Sequence, residues 1–390
     1  MWHPHPGEVS TLTNLSIEGY CDSAFQLVAD TFSDNFAQRD ELGAALCVTV
    51  NGITVIDLWG GYTNTAKTDT WQADQLVNAF SVGKGVTAIL AARCVSMGLF
   101  TYDSLVTELW PEFGQHGKEN LTVRDLLGHR SGLPSFRLPQ SSEIIFDWPA
   151  ITTALAQETP WWPPGSEHGY HVNTFGFLIG EVLRRATNQS VGLTLHNEFS
   201  APLEAGVYIG LPAPLHHRVA DLHWNTDTSD ENAPVILSDE QRMQKNAYTN
   251  PPNLSGAGII NTAQWRSAEM PSTNTHASAR GVAGLYTPLA IGDDTKISRE
   301  VLALACSEVS HGPDKILERT TRFGHGFQLP IPERGFGPNE EAFGHYGAGG
   351  SLGFADPVAQ VGFGYVMNQM GKGWQNTRNR ALVDSLYQCL

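Results

Sequence analysis

The chain has 390 residues, 41% of them hydrophobic and only 16% charged, so it can bury a large core, and length alone suggests about two domains. A formal charge of −16 with no lysine–arginine cluster excludes nucleic-acid binding as its task. No run approaches the roughly 18 apolar residues of a membrane span, and Met1-Trp2-His3-Pro4-His5-Pro6 lacks the basic and apolar regions of a secretory signal.

In chain order, Asp22 to Glu41 reads as an amphipathic helix with Phe25, Val28, Phe32 and Phe36 along one stripe. Gly43 to Gly60 then reads as two strands about an Asn51-Gly52 turn. Val82, Val86, Ile89, Leu90, Cys94 and Met97 recur at helical spacing, which puts Ser81 on the first turn of a helix. Lys84 lies about 60° away round the axis, on the same face. A nucleophile and a proton acceptor are thereby supplied without a histidine. Alone, the spacing also fits a helix cap followed by a solvated lysine. Against that, Leu76 to Met97 holds only two charges, Lys84 and Arg93, so the amine is expected to be desolvated and its pKa lowered towards neutrality.

Thr122 to Gly128 reads as a short helix ended by the turn Gly128 to Pro134, and Trp161 to Gly165 as a stiff loop. Phe175, Leu178, Ile179, Val182 and Leu183 mark another helix, in which Gly176 and Gly180 permit close packing. The polar, aperiodic stretch from Asp221 to Asn261 reads as a long loop or flap serving a binding site. Arg280 to Leu289 and Ser298 to Glu308 read as helices, Gly350 to Ala355 and Val361 to Met367 as strands, and Asn376 to Leu390 as a closing helix. Strands at both ends with helices between imply one sheet assembled from both termini with a helical lobe inserted. The widely spaced Cys21, Cys47, Cys94, Cys306 and Cys389 read as buried thiols of a reducing, cytoplasmic compartment.

Three pieces stand in order: Ser81-x-x-Lys84, Tyr170-His171-Val172-Asn173, and His345-Tyr346-Gly347-Ala348-Gly349-Gly350. Together they resemble the penicillin-recognising serine hydrolases: class C β-lactamases, DD-peptidases and family VIII carboxylesterases. Leu121 to Pro134 and Pro164 to Glu181 are similar to the segments around that family's catalytic groups, and Phe343 to Asn368 most resembles its esterase branch.

The resemblance covers about residue 22 to the C-terminus. It implies an α/β (α+β), β-lactamase/DD-peptidase-like fold: an antiparallel sheet flanked by helices with an inserted helical lobe. The expected organisation is one catalytic domain over 1–390, with the α/β lobe at about 1–105 and 285–390 and the helical lobe at about 106–284. It further implies Ser81 as acyl-accepting nucleophile, Lys84 as its base and Tyr170 as second proton carrier. A phenol beside a lysine ammonium is biased towards phenolate, and either group can take the serine proton. The oxyanion hole falls to the N–H groups of Ser81 and Ala348, with Gly347, Gly349 and Gly350 letting substrate approach.

Where lactamases carry Lys-Thr-Gly, this chain has His345-Tyr346-Gly347, and Val172 stands where their asparagine would, with Asn173 one position on. A mostly neutral histidine thus replaces the cation that pairs a lactam carboxylate. His345, Gly347 and Gly349 are expected to line a site for neutral, carboxylate-free, short-chain esters, with lactam hydrolysis weak. An acyltransferase on the same acyl-enzyme, or a lactam-binding sensor without turnover, are the alternatives.

Gly349-Gly350-Ser351-Leu352-Gly353 formally matches the α/β-hydrolase nucleophile elbow, but no histidine follows His345 to complete a triad. His3 with His5, and His216 with His217 and His223, lack metal-ligand spacing. No cofactor or metal is expected, nor a membrane partner; the partner is a small-molecule ester. His129 reads as a satisfied structural histidine, and Trp161 and Trp162 as core or as walls of the acyl pocket.

Overall fold

The computed structural model describes residues 17–224, 237–256 and 258–390. Strand β1 (Ile17–Cys21) leads through a one-turn 3₁₀ segment into helix α1 (Gln26–Gln38). Val28 and Phe32 carry its buried stripe, and Asp40, left-handed at φ 57°, stops the chain well short of continuing as helix. β2 (Gly43–Val50) and β3 (Ile53–Gly61) form the expected hairpin, with Asn51 and Gly52 both at positive φ as a tight two-residue turn requires.

Helix α2 (Val82–Ser96) is buried on every side, a central helix rather than a surface one. α3 (Thr174–Thr187) packs on it, and a side chain at Gly176 would sit 2.5 Å from Ser272 N, so the close approach expected of that glycine is real. α4 (Ala279–Ala290) then covers the sheet, followed by β4 (Phe343–Tyr346), β5 (Leu352–Asp356), β6 (Val361–Met367) and α5 (Thr377–Cys389).

The sheet has six strands in the order β1-β3-β2-β6-β5-β4, every neighbour antiparallel. β6 pairs with β2 from Val361↔Val50 to Met367↔Ala44, which welds the C-terminal strands to the N-terminal hairpin. Val361, Phe363, Tyr365 and Met367 face one way, into a core shared with α1 and α5. Val366 and Ala355 face the other, against α2 and α4. At roughly 1.5–3 kcal/mol for each fully buried large apolar side chain, this two-sided burial is what locks the sheet register. The arrangement is the one the sequence implies, an antiparallel sheet built from both ends of the chain and flanked by helices.

Two elements differ from the sequence reading. The stretch read as a flap contains a helix, Asp239–Thr249, started by a Ser238/Gln241 capping box. Only Met243 and Ala247 of it are buried, too few for a helical stripe to show. The cysteines are all unpaired, but Cys21, Cys306 and Cys389 are half-buried where full burial was expected. Among the described residues no helix is long and apolar enough to cross a membrane. His3 and His5 lie outside the described residues.

Candidate active site

A short three-stranded sheet pairs Asn78 with His276 and steers the chain towards Ser81. Phe80, just before it, is held at φ 49°, a strained conformation for an aromatic residue that turns the backbone sharply into α2. Ser81 then occupies the helix N-terminus and is 8% exposed.

Lys84, one turn on, is fully buried. Its Nζ lies 3.1 Å from Ser81 Oγ, 2.6 Å from the Val172 carbonyl oxygen and 3.3 Å from that of Ser272. Burial pushes its pKa well below the ordinary lysine value. Both carbonyls can only accept, so a neutral amine gives its two N–H bonds to them and turns its lone pair towards the Ser81 hydroxyl. Val172 stands where the lactamase pattern has asparagine, and its backbone oxygen holds the amine. Asn173 does not take up that role, because its side chain is engaged with Ala247, Ser255 and Thr273.

Tyr170 completes the group, with Lys84 Nζ 4.7 Å from its ring centroid. The ring is fully buried between Phe323 (5.9 Å, stacked), Trp374 (4.8 Å) and His345 (6.0 Å). Its backbone N–H donates to both oxygens of Asp314, which also accepts from Ile316, Leu317 and Thr321. That clamp, 144 residues away in sequence, had no local signal. Burial raises the phenol pKa well above the usual range, and the neighbouring Ser81 hydroxyl opposes this, although no group among the described residues meets hydrogen-bond geometry at Tyr170 Oη. The expected bias towards phenolate is therefore overturned: desolvation disfavours both the phenolate and the ammonium, leaving a neutral pair.

His345 is fully buried, its Nδ1–H donating to the Tyr346 carbonyl at 2.7 Å and its Nε2 without a partner among the described residues. Burial, then Lys84, pushes its pKa well below 6.5, so the imidazole is neutral. It meets the site by packing on Tyr170, not by presenting surface to substrate. His129 is likewise buried, but only Nδ1 is satisfied, by the His171 N–H; Nε2 is not, which corrects the reading of a fully satisfied ring.

The N–H groups of Ser81 and Ala348 have no acceptor among the described residues, two free donors at the ends of adjacent segments. The segments abut where the Ser351 hydroxyl donates to the Ala79 carbonyl at 2.8 Å. The glycines here make room for neighbouring protein atoms. A Cβ on Gly347 would fall 2.1 Å from Ser351 Oγ, one on Gly349 2.5 Å from Met370 Sδ, and one on Gly350 2.5 Å from Asn376 Nδ2. Gly349 and Gly350 also adopt φ of 79° and 123°. Asn376, which caps the start of α5, and Arg378 and Asn379 on its first turn donate to the carbonyls of this turn.

Ser351 is thus a tether, not a nucleophile. Ser351→Ala is expected to keep at least half of the wild-type turnover of an activated ester while losing about 1 kcal/mol of stability, read by denaturant titration. Trp161 and Trp162 both pack in the cluster around Tyr170, with Trp161 donating to the Ser135 carbonyl at 2.9 Å.

Residues 28–388 match the family model described as Beta-lactamase. The chain is 32% identical over 365 residues to Esterase/beta-lactamase LipL of Mycobacterium tuberculosis, covering 90% of this chain and 83% of that one. Among solved structures, a family VIII carboxylesterase superposes with a TM-score of 0.88 at 35% identity, over 96% of this chain and 100% of the other. A penicillin-binding protein homologue from Caulobacter crescentus gives a TM-score of 0.88 at 36% identity, with the same coverage.

Proposed function

This chain belongs to the beta-lactamase family, and within it we propose a carboxylesterase that cleaves short-chain esters through an acyl-enzyme on Ser81. As a serine hydrolase of the esterase type it agrees with the carboxylesterase and the esterase/beta-lactamase it is similar to. One observation carries the finer reading: a buried, neutral Lys84 whose N–H bonds are taken by two carbonyls and whose lone pair is left for Ser81 Oγ at 3.1 Å.

Ser81 Oγ attacks the ester carbonyl carbon while its proton passes to Lys84 Nζ. The carbonyl oxygen becomes an oxyanion received by the free N–H groups of Ser81 and Ala348. Tyr170 is a neutral phenol, so it gives its proton to the departing alkoxide and regains one from the Lys84 ammonium. Water then attacks the acyl-enzyme by the reverse relay, releasing the acid and restoring Ser81.

The neutral His345 supports esters over lactams, since the position where lactamases carry a lysine here holds no cation to pair a lactam carboxylate. The aromatic packing of Trp162, Phe323 and Trp374 round Tyr170 supports small acyl groups. With 4-nitrophenyl butyrate, kcat/KM should exceed that for a chromogenic cephalosporin by about two orders of magnitude, and that for 4-nitrophenyl palmitate by a similar factor. Equal rates on butyrate and cephalosporin would overturn the ester preference.

A further inference from the structure

Among the described residues, Arg319, Arg334 and Arg380 are the arginines whose guanidinium groups have neither a carboxylate partner nor a hydrogen bond, and all three line one cleft. In a chain with 40 acidic residues to 24 basic ones, that concentration of unpaired positive charge is not what chance pairing leaves. The cleft has a volume of about 250 Å³ and opens to solvent. Its other arginine, Arg322, is already paired with Glu308, and its one carboxylate, the exposed Glu333, pairs with none of the three. Arg319 is held in place by stacking over Trp374 at 4.9 Å, with its Nε buried and unpartnered. Burial and the nearby Arg334 lower the Arg319 pKa, and the more distant Asp314 carboxylate opposes them without cancelling them.

The cleft adjoins the reacting groups. Phe323 and Trp374 form part of its wall and also pack on Tyr170, and Tyr346, another wall residue, follows His345. The two regions differ in charge: Lys84 and His345 are neutral, whereas the cations stand one aromatic layer away. Resting on the esterase reading above, we infer that this cleft is a subsite for an anionic group, a carboxylate carried at the far end of the ester. The expectation of wholly neutral substrates is revised accordingly. The carbonyl reacts in neutral surroundings, and the charge sits several bonds away, farther than the ring carboxylate of a lactam lies from its scissile amide.

The carboxylate can come from the acyl side or the alcohol side, and two substrate pairs separate these. Monomethyl glutarate is compared with methyl valerate, and 3-carboxy-4-nitrophenyl butyrate with 4-nitrophenyl butyrate. In one pair the wild type should favour the anionic ester by about tenfold in kcat/KM, chiefly through KM, with the preference shrinking in 0.5 M salt. In the double variant Arg334→Gln/Arg380→Gln the ratio should fall to about one. Arg319 is left intact because it supports Trp374 and, through it, Tyr170. No anionic preference in either pair, or a preference that survives the double variant, would overturn the subsite. A wild type that cleaves none of the four esters would overturn the esterase reading, and the subsite with it.

Discussion

A Ser81→Ala protein takes up no fluorophosphonate, where the wild type gains one phosphonyl group per chain by intact mass, and its kcat/KM for 4-nitrophenyl butyrate falls by about 10⁴ or more. Removal of the oxygen leaves the free N–H groups and the pocket, which alone give little acyl transfer. Lys84→Met, nearly isosteric, should lose about 10³-fold or more, because the serine proton then has no acceptor. Its stability should change in a way that separates chemistry from folding. The pKa of Lys84 is depressed by burial in the folded chain, so between that value and about 10.4 the unfolded chain holds a proton that the folded one does not. Wild-type stability relative to Lys84→Met therefore rises with pH across that window and falls as pH drops through the folded pKa. The same ionisation sets the acid limb of kcat/KM, well below the ordinary lysine range. A limb unchanged in position by Lys84 substitution, or a stability difference flat in pH, would remove this amine from its role as base.

What could be read without coordinates was what short-range pattern encodes. Asn51-Gly52 announced a hairpin because only residues tolerant of positive φ close such a turn, and both adopt it. β6 was legible because Val361, Phe363, Tyr365 and Met367 alternate onto one apolar core. The helix at Asp239–Thr249 was hidden because Met243 and Ala247 are its only buried residues. β4 was read as a motif, not as a strand, since its four residues are too few to show a period. The protonation states near Ser81 were out of reach for a different reason. Whether Tyr170 is a phenol or a phenolate depends on how completely Phe323, Trp374 and His345 exclude water, and these lie 153 to 204 positions further along the chain. Long-range clamps such as Asp314 on Tyr170 likewise leave no trace in local sequence.

Another such long-range contact supports the second large effect. Arg378 Nη1 meets Glu41 at 2.7 Å with both side chains almost wholly buried, and the Tyr365 hydroxyl donates to the same carboxylate. The other arm of the guanidinium donates to the carbonyls of Gly349 (3.2 Å) and Gln369 (2.7 Å), so one buried ion pair also fixes the turn that presents Ala348 N–H. Arg378→Met leaves the Glu41 carboxylate buried with a phenol for company, and at pH 8 should cost about 3–5 kcal/mol of stability. The loss should shrink in acid. Burial already lifts the Glu41 pKa to about 7 even with Arg378 opposing it, and without the arginine it climbs further. A folded-state pKa above the unfolded one means that stability is retained below the unfolded value, about 4.3, and is lost as pH rises through the folded one. Denaturant titration at pH 5.5 should therefore recover part of the deficit seen at pH 8, and Glu41→Gln/Arg378→Met should recover part of it at pH 8 itself. In chains that still fold, kcat on the butyrate ester should drop about a hundredfold with KM little changed, because a loosened Gly349–Gly350 turn misplaces an oxyanion donor that matters only in the transition state. A purely structural pair would lower the amount of folded enzyme and leave kcat per folded chain where it was.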